Sequence, residues 1–349
     1  MEKLAMERLA QVFSATGQAA DFEVEAITSI GDRHHHWEAF TIAGGRRFVV
    51  ECKSSGSLSH IAMAVSELSV APKHFPEPVI PLLTVPYMGE TARAHCEQNG
   101  VAWLDLSGNG RIVAPGIFYQ EVGHPNRFTR RGRPESAFGP KGSRITRRLL
   151  MDPGTEVRQR DLATSTGLNE GHVSRIVSKL ADDGLIERVE GGIRVVDADL
   201  LVDAWREEYR FDRHTVIPGH VAARSGDELL RSITAKLSET EVSHAVTGLP
   251  GAWLWTKYAG FRLVTVYLAD IPSAGLLTDL GFREEARGAN TWLVVPNDQG
   301  VFHGAIRVDG VRCVHPVQVY LDLKSHPERA NEAADELRSQ LLSGGRVDR

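Results

Sequence analysis

Between Asn169 and Lys179 stand six side chains that can hydrogen-bond a base edge or a phosphate: Asn169, His172, Ser174, Arg175, Ser178 and Lys179. Val173, Ile176, Val177 and Leu180 are interleaved with them at i, i+3, i+4 and i+7. That spacing predicts one helix from about 169 to 183, with an apolar stripe buried and the polar set outward. A second group could act on a phosphodiester. Glu51 and Lys53 stand two apart in RRFVVECKSSG, so a strand would place both on one face. Glu38, thirteen residues upstream, falls on the partner strand of a predicted hairpin. Paired carboxylates with a lysine can hold a divalent cation and activate water.

The first group needs particular elements to position it. Arg158 to Ser165 reads as a helix, and Thr166-Gly167-Leu168 as a tight turn with glycine supplying the unusual backbone angle. Asn169 suits an N-cap and Gly184 a helix stop. Leu185 to Val189 and Ile193 to Val196 read as strands around Glu190-Gly191-Gly192. Helix, turn, helix and hairpin describe a winged helix-turn-helix, whose second helix fits the major groove of DNA. A helical hairpin packed inside a larger fold is the alternative. Arg188 and Arg194 would sit on the wing, within reach of phosphate or minor groove. From Arg127 to Arg148 eight basic residues face one acid, Glu135. The Gly-, Pro- and Ser-rich first half predicts a linker. SRITRRLLM begins a helix that offers Arg144, Arg147 and Arg148 to DNA, unless the run is only a solvated charged arm. The LA…TGL…VSRIV run resembles winged helices of the MarR and IclR type, with Arg158 standing where Ser or Thr usually caps the first helix.

A length of 349 residues predicts two or three domains. The boundaries expected are 1–125, a basic linker at 126–142, the winged helix at 143–198 and a last domain at 199–349. A net charge of −5 excludes a general polyanion binder, so any nucleic-acid site is a local patch. No apolar run reaches membrane-span length. The N-terminal MEKLAMERLAQVF reads as an amphipathic helix rather than a signal peptide. Cys52, Cys96 and Cys313 lie far apart, with neither metal nor disulfide spacing, which fits a reducing cytoplasm.

Residues 1 to 120 alternate helix and strand, which predicts an α/β unit with a mixed sheet. Helices are expected at about 2–16, 59–70 and 89–99, and strands at 22–30, 37–42, 47–52, 79–85 and 101–106. The order of elements and the Glu-x-Lys pair resemble the PD-(D/E)xK restriction-endonuclease-like fold. The resemblance implies Glu38 (or Asp32), Glu51 and Lys53 as its magnesium-dependent site, with Glu67 where a helical Gln often stands. The PD dipeptide and that Gln are absent, and Glu38 replaces the usual Asp, so cleavage is not the expected activity. His34-His35-His36 is read as surface, because adjacent side chains on an extended segment point apart. Asp105 to Gly110 is read as a strand followed by a hairpin turn.

Residues 200 to 345 predict a further α/β or α+β unit. AVTGLPGAWLW, FRLVTVYLAD and HPVQVYLDLKSHPERANEAADELRSQLL resemble the C-terminal domain of AbiEi-family antitoxins of type IV toxin–antitoxin systems. The resemblance covers roughly 140 to 345 and implies a degenerate nucleotidyltransferase-like fold for the C-terminal domain. A live nucleotidyltransferase needs a Gly-Ser pair and paired acids for magnesium. Here Thr247-Gly248 and a solitary Asp270 stand instead, so catalysis is not expected. Gln318, Tyr320 and Asp322 alternate, as on one face of a strand, and are read as a structural edge. Trp253, Trp255 and Tyr258 are read as core.

The expectation is therefore an α/β and α+β multidomain protein. It has a restriction-endonuclease-like first domain, a central winged helix-turn-helix and a nucleotidyltransferase-like last domain. It should bind double-stranded DNA as a sequence-specific transcriptional regulator, possible homodimer included, with no membrane association. As antitoxin or autorepressor of a phage-defence or toxin–antitoxin operon it would meet a cognate toxin. No cofactor or metal is expected. Two alternatives stay open: a magnesium-dependent endonuclease guided by the winged helix, and a protein-interaction scaffold.

Overall fold

The computed structural model describes residues 2–15, 23–27, 37–42, 46–75, 77–128 and 136–342. The chain divides into two compact units, 1–133 and 134–349.

The first unit runs α1 (Glu2–Ala15), β1 (Glu23–Ile27), β2 (Trp37–Ile42), β3 (Arg46–Cys52), α2 (Leu58–Val70), β4 (Val79–Val85), α3 (Glu90–Gln98), β5 (Ala102–Asp105), β6 (Gly110–Ala114) and β7 (Ile117–Glu121). The strands lie in one sheet in chain order. β1 to β3 form an antiparallel meander, β3, β4 and β5 are parallel, and β6 and β7 return antiparallel. Parallel neighbours need helical crossovers, and α2 and α3 supply them. Leu9, Val12 and Phe13 of α1 pack on Phe48, Val50, Leu82 and Leu104, one face of the sheet. By the two-residue alternation of a strand, Val49 and Glu51 belong to the opposite face.

The second unit opens with α4 (Gly142–Leu150), α5 (Gln159–Thr166), α6 (Glu170–Asp182) and the hairpin β8 (Ile186–Val189) and β9 (Gly192–Val195). A lone bridge from Val157 to Ile193 adds a third strand position beside the hairpin. Gly167, at φ 66°, ends α5 in the left-handed region that glycine enters at little cost. A Cβ at Gly192 would lie 2.6 Å from the Val157 carbonyl oxygen, so the bridge needs glycine there.

Next come α7 (Ala198–Glu208), β10 (Thr215–His220), α8 (Gly226–Ser238), β11 (His244–Thr247), α9 (Gly248–Thr256), β12 (Val264–Leu268), α10 (Ala274–Leu280), β13 (Arg283–Glu284), β14 (Thr291–Val295), β15 (Ile306–Val308), β16 (Val311–Cys313), α11 (Pro316–Leu323) and α12 (Ala330–Leu337). The strand order is β13-β10-β14-β12-β11-β16-β15, parallel at β12/β14 and β11/β16. Every residue of β12 is buried, the mark of a strand covered on both faces.

Two expectations differ from this architecture. The winged helix and the last domain, expected at 143–198 and 199–349, share one hydrophobic core. It runs from Ile145 and Leu149 through Trp205 to Val317 and Leu337. Gln318, Tyr320 and Asp322, read as alternating along a strand, lie instead on α11. Pro316 occupies its first turn, and the His315 ring accepts the Val317 N–H at 3.3 Å. All eight residues of α11 are buried, so its sequence carries no amphipathic helical period.

Candidate nucleic-acid interface

The reading helix is built as its residues dictate. The Asn169 side-chain oxygen accepts the His172 N–H at 2.8 Å and caps α6. Val173, Ile176, Val177 and Leu180 are buried, and this fixes the phase of the helix. Arg175 and Lys179 are exposed on the other side, with Ser174 and Ser178 half-buried beside them. On the wing Arg188 and Arg194 are exposed. Arg188 donates to the Ser178 hydroxyl at 3.0 Å, tying wing to helix. Lys179 pairs with Asp183 at 2.5 Å and Arg194 with Glu187 at 2.7 Å. Exposed pairs of this kind are weak, so a phosphate can replace the partner. The Arg158 and Arg160 side chains are also exposed, where α5 begins. Sequence reasoning passed over them, although buried Leu162 and Ala163 imply the phase. Arg158 occupies the N-cap position of α5 without a side-chain cap, as its type predicts.

Three expected contacts are corrected by packing. His172 is only 6% exposed and lies on the core side of α6, four residues before Ile176, so it offers little edge to DNA. Arg147 is 2% exposed. It donates to Gln318 and its guanidinium lies 5.0 Å from the Trp205 ring centre. Arg144 is held bidentately by Asp298, at 2.7 and 2.9 Å, which raises its pKa. These two arginines fasten α4 to the rest of the unit. Arg148 is half-buried. Arg130, Arg131 and Arg133 lie outside the described residues.

Of the nuclease-like residues, the side chains of Glu51, Lys53 and Glu67 are described. Glu51, 7% exposed, pairs with Lys53 at 2.5 Å, as their spacing predicts. The β2–β3 register sets Glu38 opposite Val50. Glu67 lies nine residues along α2, roughly 13 Å from its start, as the chain returns toward the beginning of β4. Asp32 and His34 to His36 lie outside the described residues. Among the described residues no cluster of three His, Cys, Asp or Glu could hold a metal. Asp105 is structural: its carboxylate accepts the N–H groups of Met88, Ser107, Gly108 and Asn109 and so fixes the β5–β6 turn.

A buried polar network behind α4 was missed, because its hub lies on α11. The Asp322 carboxylate accepts from Thr247, Tyr209, Tyr267 at 3.0 Å and Gln318 at 2.8 Å. Gln318 and Asp322 meet because they are four apart on a helix. Burial pushes the Asp322 pKa up to about 6 against these donors. His214 accepts the Asn297 N–H on Nδ1, so its Nε2 carries the proton toward the Tyr209 hydroxyl. Burial, with the field of Arg147, lowers the His214 pKa to about 4.

A capped, exposed polar helix after a tight turn, with a β-wing behind it, defines the winged helix class of DNA-binding domain. Residues 143–204 match the family model of a Crp-like helix-turn-helix domain. Residues 194–343 match that of a transcriptional regulator, AbiEi antitoxin, of a type IV toxin–antitoxin system. Together the two matches support a DNA-binding transcriptional regulator of the antitoxin kind. No curated protein matches the chain. Two solved structures resemble a part of it: EndoMS in apo form, and a repair endonuclease from Pyrococcus abyssi. Each is 16% identical over 29% of this chain, with a TM-score of 0.22. The matches span 44% and 46% of those chains, under half their length. A likeness of that size carries no argument about chemistry. Among the described residues no helix is long and apolar enough to cross a membrane.

Proposed function

We propose that α6 reads operator DNA in the major groove and that the protein regulates its own operon as the antitoxin of a toxin–antitoxin pair. Ser174, Arg175, Ser178 and Lys179 supply the base and phosphate contacts, and Arg188 and Arg194 extend them along the wing. The observation that carries the reading is the α6 surface: two exposed cations and two hydroxyls on the side opposite a buried apolar stripe. The match at residues 194–343 supports the antitoxin role and a cognate toxin as protein partner. One reading helix spans only a few base pairs, so the reading includes a homodimer on two half-sites about 34 Å apart. It also includes a nuclease-like topology without catalysis for the first unit, and a degenerate nucleotidyltransferase-like fold for the sheet after the wing. The α1-β1-β2-β3-α2-β4 order supports the former. The absence of a Gly-Ser pair at Thr247-Gly248 supports the loss of catalysis in the latter.

The test is a gel shift with duplex DNA from immediately upstream of the gene, at two salt concentrations, with a parallel incubation in magnesium. A discrete shift that survives the higher salt, with intact DNA, is the expected result. Cleaved DNA, or no shift at either salt, overturns the reading.

A further inference from the structure

A pocket opens where α4 meets the C-terminal sheet, and none of its lining residues belongs to α5, α6 or the wing. It measures about 420 Å³ with its open mouth included. Arg147, Arg210 and Arg213 line it, together with Ser143, His214 and Asn297.

Its charge is unbalanced. Arg147 is buried, and its Nε has no hydrogen-bond partner among the described residues. A buried guanidinium ordinarily meets a carboxylate. Arg147 instead meets the Gln318 carboxamide, the Ser143 carbonyl at 3.5 Å and the Trp205 ring. Two carboxylates line the pocket, one of them neutralised by a cation outside the lining and the other exposed and still charged, against three arginines. Asp298 holds Arg144, and Glu208 accepts the Ser136 hydroxyl at 2.8 Å. At the mouth, Arg210 has one long contact to Asp212, 3.4 Å, between two exposed side chains. The exposed Arg213 guanidinium makes no hydrogen bond or ion pair among the described residues. His214 is neutral at ordinary pH, so arginines alone set the positive field.

We propose that this pocket binds a small phosphate-bearing molecule, with Arg147 at its wall and Arg210 and Arg213 at its mouth holding the anionic group. Guanidinium groups suit phosphate through paired N–H donors. A tetrahedral group offers oxygens to donors from several elements, whereas a carboxylate presents its two in one plane. The bound molecule would bridge α4 of the winged helix and the segment after α7. An occupant that favours one placement of the winged helix changes DNA affinity by the same factor as DNA changes its own. That coupling rests on the DNA-binding reading; binding itself does not.

The experiment is calorimetric titration of the full chain with inorganic phosphate and with methyl phosphate, at constant ionic strength against chloride. Saturable binding is expected. Arg213→Ala should weaken it about tenfold or more, as loss of a hydrogen bond to a charged group does. Arg188→Ala on the wing should leave it unchanged. Tighter binding of the free ion or of the ester tells which source of phosphate the pocket takes. No saturable binding, or affinity unchanged in both Arg210→Ala and Arg213→Ala, overturns the proposal whether or not Arg147 variants fold. DNA affinity that is equal with and without saturating phosphate overturns the coupling alone. A chain that binds no DNA overturns the functional reading and leaves the calorimetry standing.

Discussion

The arginines of α4 and those of α6 and its wing are one residue type with two fates. Arg144 and Arg147 turn inward: one is clamped by Asp298, the other buried against Gln318 and Trp205. Arg175, Arg188 and Arg194 turn outward, with partners that solvent or phosphate can replace. Local charge density does not distinguish them, since α4 lies in the most basic stretch of the chain. What distinguishes them is whether another part of the fold covers the helix. α6 buries one stripe. α4 buries Ile145 and Leu149 in the winged core and Arg147 on its far side, against α7 and α11. A basic residue therefore marks a nucleic-acid contact only when its face stays open.

The inner side gives the largest expected effect. Arg147→Ala takes the donor from Gln318 and empties the space beside Trp205, and should cost about 2–5 kcal/mol, as truncating a large, fully buried side chain does. Urea denaturation measures it, and an unchanged midpoint would place Arg147 outside the structural set. On the outer side, Arg175→Ala should lose about 1–3 kcal/mol of specific DNA binding. Its folding stability should stay within about 0.5 kcal/mol of the parent. Asn169→Ala removes the cap of α6 and should cost about 1 kcal/mol of stability, read from the same denaturation curve.

The most gradual effect is the response to acid. His214, His315 and His326 have pKa values lowered by burial from 6.5 to about 4. Between those values the unfolded chain takes up protons that the fold refuses, so their contribution is full above 6.5 and is lost as pH falls toward 4. Asp322 runs the other way. Its pKa is raised from 3.8 to about 6, so the fold takes up its proton first and gains stability as pH falls through 6. Three imidazoles against one carboxyl give a net loss. Denaturation midpoints should fall steadily from pH 6.5 to 4, and a rise would contradict the burial of the histidines.

Much of the outer side was legible in the sequence, because it is encoded locally. The Val173 to Leu180 stripe, the Asn169 cap, the Gly167 turn and the glycine-linked wing each depend on residues within a few positions. The β2, β4 and β14 boundaries likewise coincide with apolar, β-branched runs. The inner side was not legible, because it is encoded by distant residues. α11 is buried all round, so VQVYLDL alternates as a strand would. His172 and Arg147 look polar and available until the fold covers them. The register that sets Glu38 opposite Val50 is likewise a property of the assembled hairpin.

The most direct test of the account is fluorescence anisotropy of the full chain on a labelled upstream duplex, comparing Arg175→Ala with the parent protein at two salt concentrations. The account predicts about 5- to 150-fold weaker binding to that duplex, the equivalent of about 1–3 kcal/mol, and a much smaller change on a scrambled duplex. Equal affinity of both proteins for the upstream duplex would contradict the claim that α6 reads DNA.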